Sequence, residues 1–586
     1  MATRKRVGVG GLGKELIKSP GGGAFDPGIQ LQPIKQITRN CNKGANPNVD
    51  LSEGNPVYEA DRLLLLVNPE VVRRPYKERP IGLPPEIMKA FAFMRAAFQL
   101  QRVDTIVQTG HPFYLAPATV QPEGLTAPER AALQALVVPL RHGTLPAAVS
   151  GEVRFEEAAI EMASRVQLTF QDATKVQAAA DFLCTVPNIL RVERPACGYA
   201  TRVSTEAPPP PPPNTKTVNI YHPTWWQDMT AWRYSDLSTK TASQFDSNLA
   251  LTNIAVLDSG IDTTGHPCLG GAYTLPLAGD FPFSEIDRYG HGTHVLSIVA
   301  GRPKSVVTAN GSSLDVPGGV LPNAKVLSFG IFRDRAVTNV DMEKLKTALF
   351  AIRYYYTHIK VVNLSIWMAG LPDWDLRDEI DKLASVGVVP VVCAGNNFDK
   401  PLRDPALDDS RYRVRYPARL LRVLSVGAAA RDSSRDSFSR FSTWGKSGYD
   451  GNDSEANAEG RWPLVNLMAP GRMIWGAMIA NPHDDMGGDQ NITELSGKHR
   501  VAWMTGTSMA APMVSAAAGY LHHHWQGAKA VDIRKAVMVA VDKTSIGWQP
   551  SIWPHFPVTW TELHGTGVLD FGKVAKLAKT PFQYQV

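Results

Sequence analysis

Met504-Thr-Gly-Thr-Ser508-Met-Ala-Ala-Pro512 runs directly into Met513-Val-Ser-Ala-Ala-Ala-Gly-Tyr-Leu521, a stretch of small and apolar residues of helix length. The Gly/Thr text predicts a tight turn and the Ala-rich run a buried helix beginning near Ser508. Ser508 then stands at a helix N-terminus, where unpaired backbone N–H groups and the positive dipole end face any developing negative charge. A helix of small residues needs close neighbours, and the preceding text supplies them as short apolar runs. These are Asn253-Ile-Ala-Val-Leu257, Lys325-Val-Leu-Ser-Phe329, Val361-Val-Asn-Leu364, Val388-Val-Pro-Val-Val392 and Val423-Leu-Ser-Val426. Strands apolar on both faces and alternating with helix-length segments predict an α/β domain with a mostly parallel sheet covered on both sides. Sites in such sheets lie at the carboxyl ends of the strands.

Two of those ends, and one segment between the runs, carry chemistry. Ile254-Ala-Val-Leu257 leads into Asp258-Ser-Gly260; taken alone, Asp258 is as readily a structural carboxylate. Val391-Val-Cys-Ala-Gly395-Asn396-Asn397 ends a strand with an amide able to donate to an oxyanion. Tyr289-Gly-His291-Gly-Thr-His294 sets a histidine between glycines, which favours close approach of an imidazole to another group; two histidines three apart also fit metal ligation, with His294 otherwise a packing residue. A serine hydroxyl is a weak nucleophile that needs a neighbouring base, the base needs an acid to fix its tautomer, and the oxyanion needs donors placed in advance.

Composition is that of a globular protein: 586 residues, 44% hydrophobic, 20% charged, net charge +6. That length implies more than one domain, and so small a net charge points to no nucleic-acid partner. Five scattered cysteines (Cys41, Cys184, Cys197, Cys268, Cys393) form no CxxC pair. No apolar stretch of signal-peptide length follows the basic start, and no run reaches the roughly eighteen apolar residues of a membrane span. The expectation is a cytoplasmic protein with free thiols and no membrane partner.

Residues 1–55, rich in Gly, Pro, Asn and Lys, read as a flexible arm. Gly8-Val-Gly-Gly-Leu-Gly13-Lys14 matches a dinucleotide fingerprint and nearly a phosphate loop, but no strand precedes it and Glu15 replaces the required Ser or Thr. Residues 56–205 read as a small α+β domain: Arg62-Leu-Leu-Leu-Leu-Val67 as a strand, Glu86 to Val103 with helical spacing, Arg165–Phe170 as a strand, Asp172–Leu183 as an Asp-capped helix, and Ile189–Glu193 as a return strand. Six prolines, Pro208 to Pro213, fall in a linker and lead-in over 206–250. The main domain occupies 251–586. His522-His-His524 points in three directions along a helix and cannot ligate one ion.

The order Asp, His, Ser, in the texts DSGID, GHGTH and GTSMAAP with AGN between the last two, resembles the subtilisin family (subtilases, peptidase family S8). Gly319-Val-Leu-Pro322-Asn-Ala-Lys, Leu467-Met-Ala-Pro-Gly471 and Gly565-Thr-Gly-Val-Leu-Asp570 extend the resemblance over roughly 250 to 575. It implies a subtilisin-like three-layer α/β domain acting as a serine endopeptidase on protein or peptide substrates. Asp258, His291 and Ser508 become the catalytic triad, Asn396 rather than Asn397 the oxyanion donor, and Ser365, Ile366, Trp367 and Gly395 the substrate-binding edge. A binding module that has lost turnover and holds peptides in the old cleft is the alternative.

The sequence departs from the family in three places. Where relatives read His-Pro-Asp-Leu, with that Asp on a structural calcium, this chain reads His266-Pro-Cys268-Leu, so a hard oxygen ligand is missing and no cofactor is expected. Trp367 stands where the edge strand has glycine, which predicts a narrowed primary pocket. Segments 448–462 and 480–500 read as surface insertions. The family's N-terminal chaperone-inhibitor implies that 56–205 restrains the enzyme, with a tail near Arg194 to Thr217 laid in the cleft like a product, to be released by cleavage or by an activating protein partner.

Overall fold

A computed structural model describes residues 61–73, 83–105, 137–139, 160–161, 164–195, 198–200, 224–235, 253–276, 286–322, 324–334, 337–354, 356–368, 374–396, 414–420, 422–432, 435–438, 465–483, 492–496, 499–543 and 565–580. The N-terminal arm, Pro208–Pro213, Cys41, Cys197, Asn397 and segment 448–462 lie outside them. The described residues fall into two compact units, one within 61–195 and the other within 198–580. The first unit therefore ends at Pro195 rather than at 205.

The first unit is a five-stranded sheet in the order β3-β2-β4-β1-β5, built from β1 (Arg62–Val67), β2 (Leu100–Thr105), β3 (Val137–Pro139), β4 (Arg165–Phe170) and β5 (Ile189–Glu193). Only β2 and β3 pair in parallel. Alternate residues Leu63, Leu65 and Val67 of β1 and Val166, Leu168 and Phe170 of β4 enter one core. Helix α1 (Pro85–Phe98) adds Ile87, Phe91 and Met94 at one-turn spacing, and α2 (Val176–Leu183) adds Val176, Ala180 and Leu183. Asp172 caps the turn before α2, its carboxylate accepting from Thr174 N at 2.9 Å. Helical spacing overran at 86–103: Gln99, at φ 56, ends α1 in the left-handed conformation, and Leu100 onward becomes β2.

The second unit opens with β6 (Gly198–Ala200), then β7 (Ile254–Asp258) and α3 (His291–Ala300). After β8 (Val326–Gly330) come β9 (Phe332–Asp334), β10 (Val337–Val340) and α4 (Met342–Tyr354). Next are β11 (Val361–Leu364), β12 (Ile366–Met368), β13 (Val389–Cys393), β14 (Leu424–Asp432), β15 (Leu467–Pro470) and α5 (Thr507–His524). The main sheet runs β15-β14-β13-β11-β7-β8, all parallel, with short strands at both margins. All five apolar runs of the sequence lie in it. Its central strands are buried throughout, as a sheet covered on both faces requires. Helix α5 buries every residue from Thr507 to His522, and α3 all ten of its own.

A second sheet, in the order β9-β10-β6-β12, borders the carboxyl edge of the first. Strand β6 lies antiparallel between β10 and β12. A third joins Ile474–Met478, Arg500–Met504 and Ile492–Glu494. Part of 480–500, expected as surface insertion, is thus a paired strand.

Candidate active site

Asp258 is the last residue of β7, Ser365 follows β11, and Gly395-Asn396 follows β13, so three neighbouring parallel strands deliver them to one edge. His291 opens α3 and Ser508 lies in the first turn of α5, two helices packed on each other.

His291 Nδ1 lies 2.8 Å from Asp258 Oδ1, with both side chains buried. Asp258 Oδ1 also accepts from Ser259 N at 2.8 Å. A carboxylate so placed makes Nδ1 the donor and leaves Nε2 as the basic nitrogen. Nε2 is buried with no hydrogen-bond partner among the described residues. The Ser508 hydroxyl donates instead to the Ser365 carbonyl at 3.3 Å.

The nucleophile turn is fastened from several sides. Thr507 N and Oγ1 both donate to Asn396 Oδ1, at 2.9 and 2.8 Å, and Gly395 N donates to Thr507 Oγ1 at 3.2 Å. With its oxygen engaged, Asn396 turns its NH₂ the other way, and a Cβ on Gly506 would sit 2.8 Å from Nδ2. Glycine at 506 thus answers to the close approach of the amide; at Gly395 it answers to a φ of 103°.

Further back, Pro512 has no N–H for the Ser508 carbonyl four residues earlier. Ser365 Oγ donates to that carbonyl at 3.0 Å. Asn363 Nδ2 donates to Ser365 Oγ at 3.1 Å, and Ser515 Oγ to Asn363 Oδ1 at 2.9 Å, tying the next turn of α5 to β11.

Sequence reasoning missed Asp287. Its buried carboxylate accepts five hydrogen bonds: from Ser259 Oγ, Tyr289 N and Gly290 N on Oδ1 and from Thr293 N and Oγ1 on Oδ2, at 2.6–2.9 Å. Ser259 Oγ in turn accepts from Gly292 N at 2.7 Å, and Thr293 Oγ1 from Asp262 N at 3.0 Å. One carboxylate therefore joins the loop after Asp258 to the first turn bearing His291. The available signal was an acid four residues before His291, placed like a helix cap.

The edge residues are divided between faces. Ile366 and Met368 are buried, while Trp367 is half-buried with the Arg415 guanidinium 5.8 Å from its ring centroid. Burial pulls the Arg415 guanidinium down to about 10. His294 is wholly buried against the Ala502 carbonyl, Nε2 to O 3.1 Å, and desolvation pushes it down to about 3, so it packs as a neutral ring. Cys268 is buried, its thiol pushed up to about 12 by desolvation. His266 accepts from Cys268 N through Nδ1 at 3.0 Å and donates through Nε2 to the Arg500 carbonyl at 2.7 Å, leaving no nitrogen for a metal. Among the described residues no group of three His, Cys, Asp or Glu side chains is arranged to hold an ion, and no helix is long and apolar enough to cross a membrane.

A strand-end Asp paired with a histidine at one helix start, and a serine at another helix start beside an amide, define a serine-hydrolase type of site on an α/β scaffold. The model of the subtilase family, Peptidase_S8, matches residues 251–555, and the chain belongs to that family. The thermophilic serine proteinase of Bacillus sp. (strain AK1) is 28% identical over 296 residues, 50% of this chain and 57% of that protein. The major intracellular serine protease of Bacillus subtilis is 28% identical over 270 residues, 45% of this chain and 66% of that one. The crystal structure of fervidolysin from Fervidobacterium pennivorans, a keratinolytic enzyme related to subtilisin, superposes with a TM-score of 0.50 at 19% identity, over 76% of this chain and 64% of that one. The expected subtilisin-like fold is borne out. The match spans a little over half of the AK1 proteinase and 38% of fervidolysin's sequence.

Proposed function

We propose that this chain is a serine endopeptidase in which Ser508, His291 and Asp258 perform acyl transfer. The observation carrying the reading is the buried 2.8 Å contact of His291 Nδ1 with Asp258, which leaves Nε2 as the basic nitrogen. Rotation of the Ser508 side chain brings Oγ from the Ser365 carbonyl to Nε2. Oγ attacks the peptide carbonyl as Nε2 takes its proton, and Asp258 stabilises the imidazolium. The oxyanion is held by Asn396 Nδ2 and by Ser508 N–H, a first-turn donor without an intrahelical partner. Collapse expels the amine with the proton from Nε2; water then repeats the sequence to free the acid and restore the serine.

The enzyme is restrained by its own N-terminal region. What supports this is β6, extended chain paired antiparallel on both sides within the edge sheet that follows Ser365. Main-chain pairing of this kind is how grooves take extended peptides. Cleavage in 196–215, or a protein partner that withdraws the strand, releases activity. Buried Cys268 in place of an acidic ligand supports a protein without structural calcium. The free thiols Cys184, Cys268 and Cys393, and a relative named as intracellular, support work in a reducing cytoplasm. The test is to purify wild type beside Ser508→Ala, and to follow casein hydrolysis and the N-terminus of each chain. Hydrolysis and self-cleavage confined to the wild type support the reading; equal turnover by Ser508→Ala refutes it.

A further inference from the structure

In the edge sheet, Gly198 lies opposite Val340 on one side and Met368 on the other, Tyr199 opposite Asn339 and Trp367, and Ala200 opposite Ile366. Gly198 is buried. It carries no positive φ, so its backbone does not demand glycine. The surrounding space does: a Cβ at 198 would lie 2.8 Å from Met342 Sδ and 3.1 Å from Val340 Cβ. Sulfur on a flexible chain can swing aside, but Met342 is 1% exposed at the start of α4 and has little room. Val340 Cβ is fixed directly to β10, which is paired on both sides. Close packing of this kind resists even one added carbon.

We infer that Val340 and Met342 form a glycine-selective subsite in the substrate groove. In the full chain Gly198 fills it, and in protein substrates a glycine in the same register does so. This rests on the reading of β6 as a strand that lies as a substrate strand would. The substrate class is then extended, glycine-containing segments. Met342 is the residue that sets the selectivity, because its sulfur makes the closest contact.

The experiment uses the full chain and an internally quenched peptide, comparing wild type with Gly198→Leu, Gly198→Ala, Tyr199→Pro, and each Gly198 variant combined with Met342→Ala. Tyr199→Pro removes a main-chain donor from β6 and so reports on strand occupancy irrespective of the subsite. We expect both Tyr199→Pro and Gly198→Leu to raise basal hydrolysis at least several-fold. Met342→Ala should return Gly198→Ala to near the wild-type rate. In the Tyr199→Pro chain, a peptide with glycine in this register should be cleaved about tenfold faster than its leucine counterpart, a difference that Met342→Ala erases; tenfold corresponds to about 1.4 kcal/mol. Activation by Tyr199→Pro, without effect of Gly198→Leu or of Gly198→Ala and without glycine preference, overturns the subsite alone. No activation by any variant of a hydrolysing chain overturns the occupancy reading and the subsite with it. A chain that hydrolyses nothing fails the protease reading, and the subsite is then decided by melting. Gly198→Ala should lower Tm and Met342→Ala should restore it; additive losses overturn it.

Discussion

Ser365 Oγ donates to the Ser508 carbonyl at 3.0 Å, filling the place that Pro512 leaves empty in α5. A buried carbonyl without a donor costs roughly 1–3 kcal/mol. Ser365→Ala should therefore lower unfolding stability by about that amount and reduce kcat by loosening the turn that carries Ser508. Adding Pro512→Ala returns an N–H four residues after Ser508, so the double variant should regain stability in urea titrations. A double variant less stable than Ser365→Ala would show that the proline serves another purpose.

Asn396 is oriented by its oxygen, which Thr507 engages twice. Asn396→Ala removes an oxyanion donor while leaving the Asp258–His291 pair intact. Losing one such donor typically lowers kcat by about 10²–10³ with smaller change in KM. Steady-state kinetics on a peptide that saturates the enzyme separates the two parameters; an unchanged kcat would remove Asn396 from the reaction.

Asp287 acts through its neighbours as a positioning residue. In Asp287→Asn the amide nitrogen cannot accept, so Thr293 or the Tyr289 and Gly290 N–H groups lose their acceptor. Each buried donor left unmet costs about 1–3 kcal/mol. We expect a lower Tm together with a kcat reduced by about tenfold or more at nearly constant KM. An equal Tm loss with unaltered kcat would make the residue structural only.

The pH dependence of stability follows from His294. Its folded-state pKa lies at about 3, below the ordinary 6.5, so the unfolded chain takes up a proton that the folded protein refuses. Stability is thus full above about pH 6.5 and falls with acid between there and about pH 3, by about 1.4 kcal/mol per pH unit from this group. Burial shifts His266 and His522 the same way. His294→Gln keeps a donor for the Ala502 carbonyl and should give a shallower slope in denaturant titrations at about pH 7 and about pH 4.5. Parallel slopes would exclude His294 as the cause.

Much of this was legible in the sequence because it is local. The strands Arg62–Val67, Arg165–Phe170 and Ile189–Glu193 have the bounds read for them in the sequence, by alternation at Arg165–Phe170, and the five apolar runs of the main domain share one sheet. Taken singly, neither motif decided the role of Asp258 or His291; the resemblance to the subtilisin family paired them, and the two side chains lie in contact. What stayed hidden depends on long-range convergence. Helical spacing could not stop at Gln99, whose left-handed cap leaves no strong composition signal. Nothing in Asp287 itself tells of donors arriving from residues 259 and 293. Nor does the text around Gly198 reveal that strands carrying Val340 and Met368, far along the chain, would close around it, since pairing partners are chosen by tertiary packing.

The central claim is that Ser508 is a nucleophile activated by His291, and labelling by a fluorophosphonate tests it most directly. The measurement is intact mass and peptide mapping of the folded Tyr199→Pro chain after exposure to the probe, beside the same chain carrying His291→Ala. A single adduct on Ser508, lost with His291→Ala, is the predicted result. A folded chain that takes no adduct, or takes it on another residue, would contradict the account.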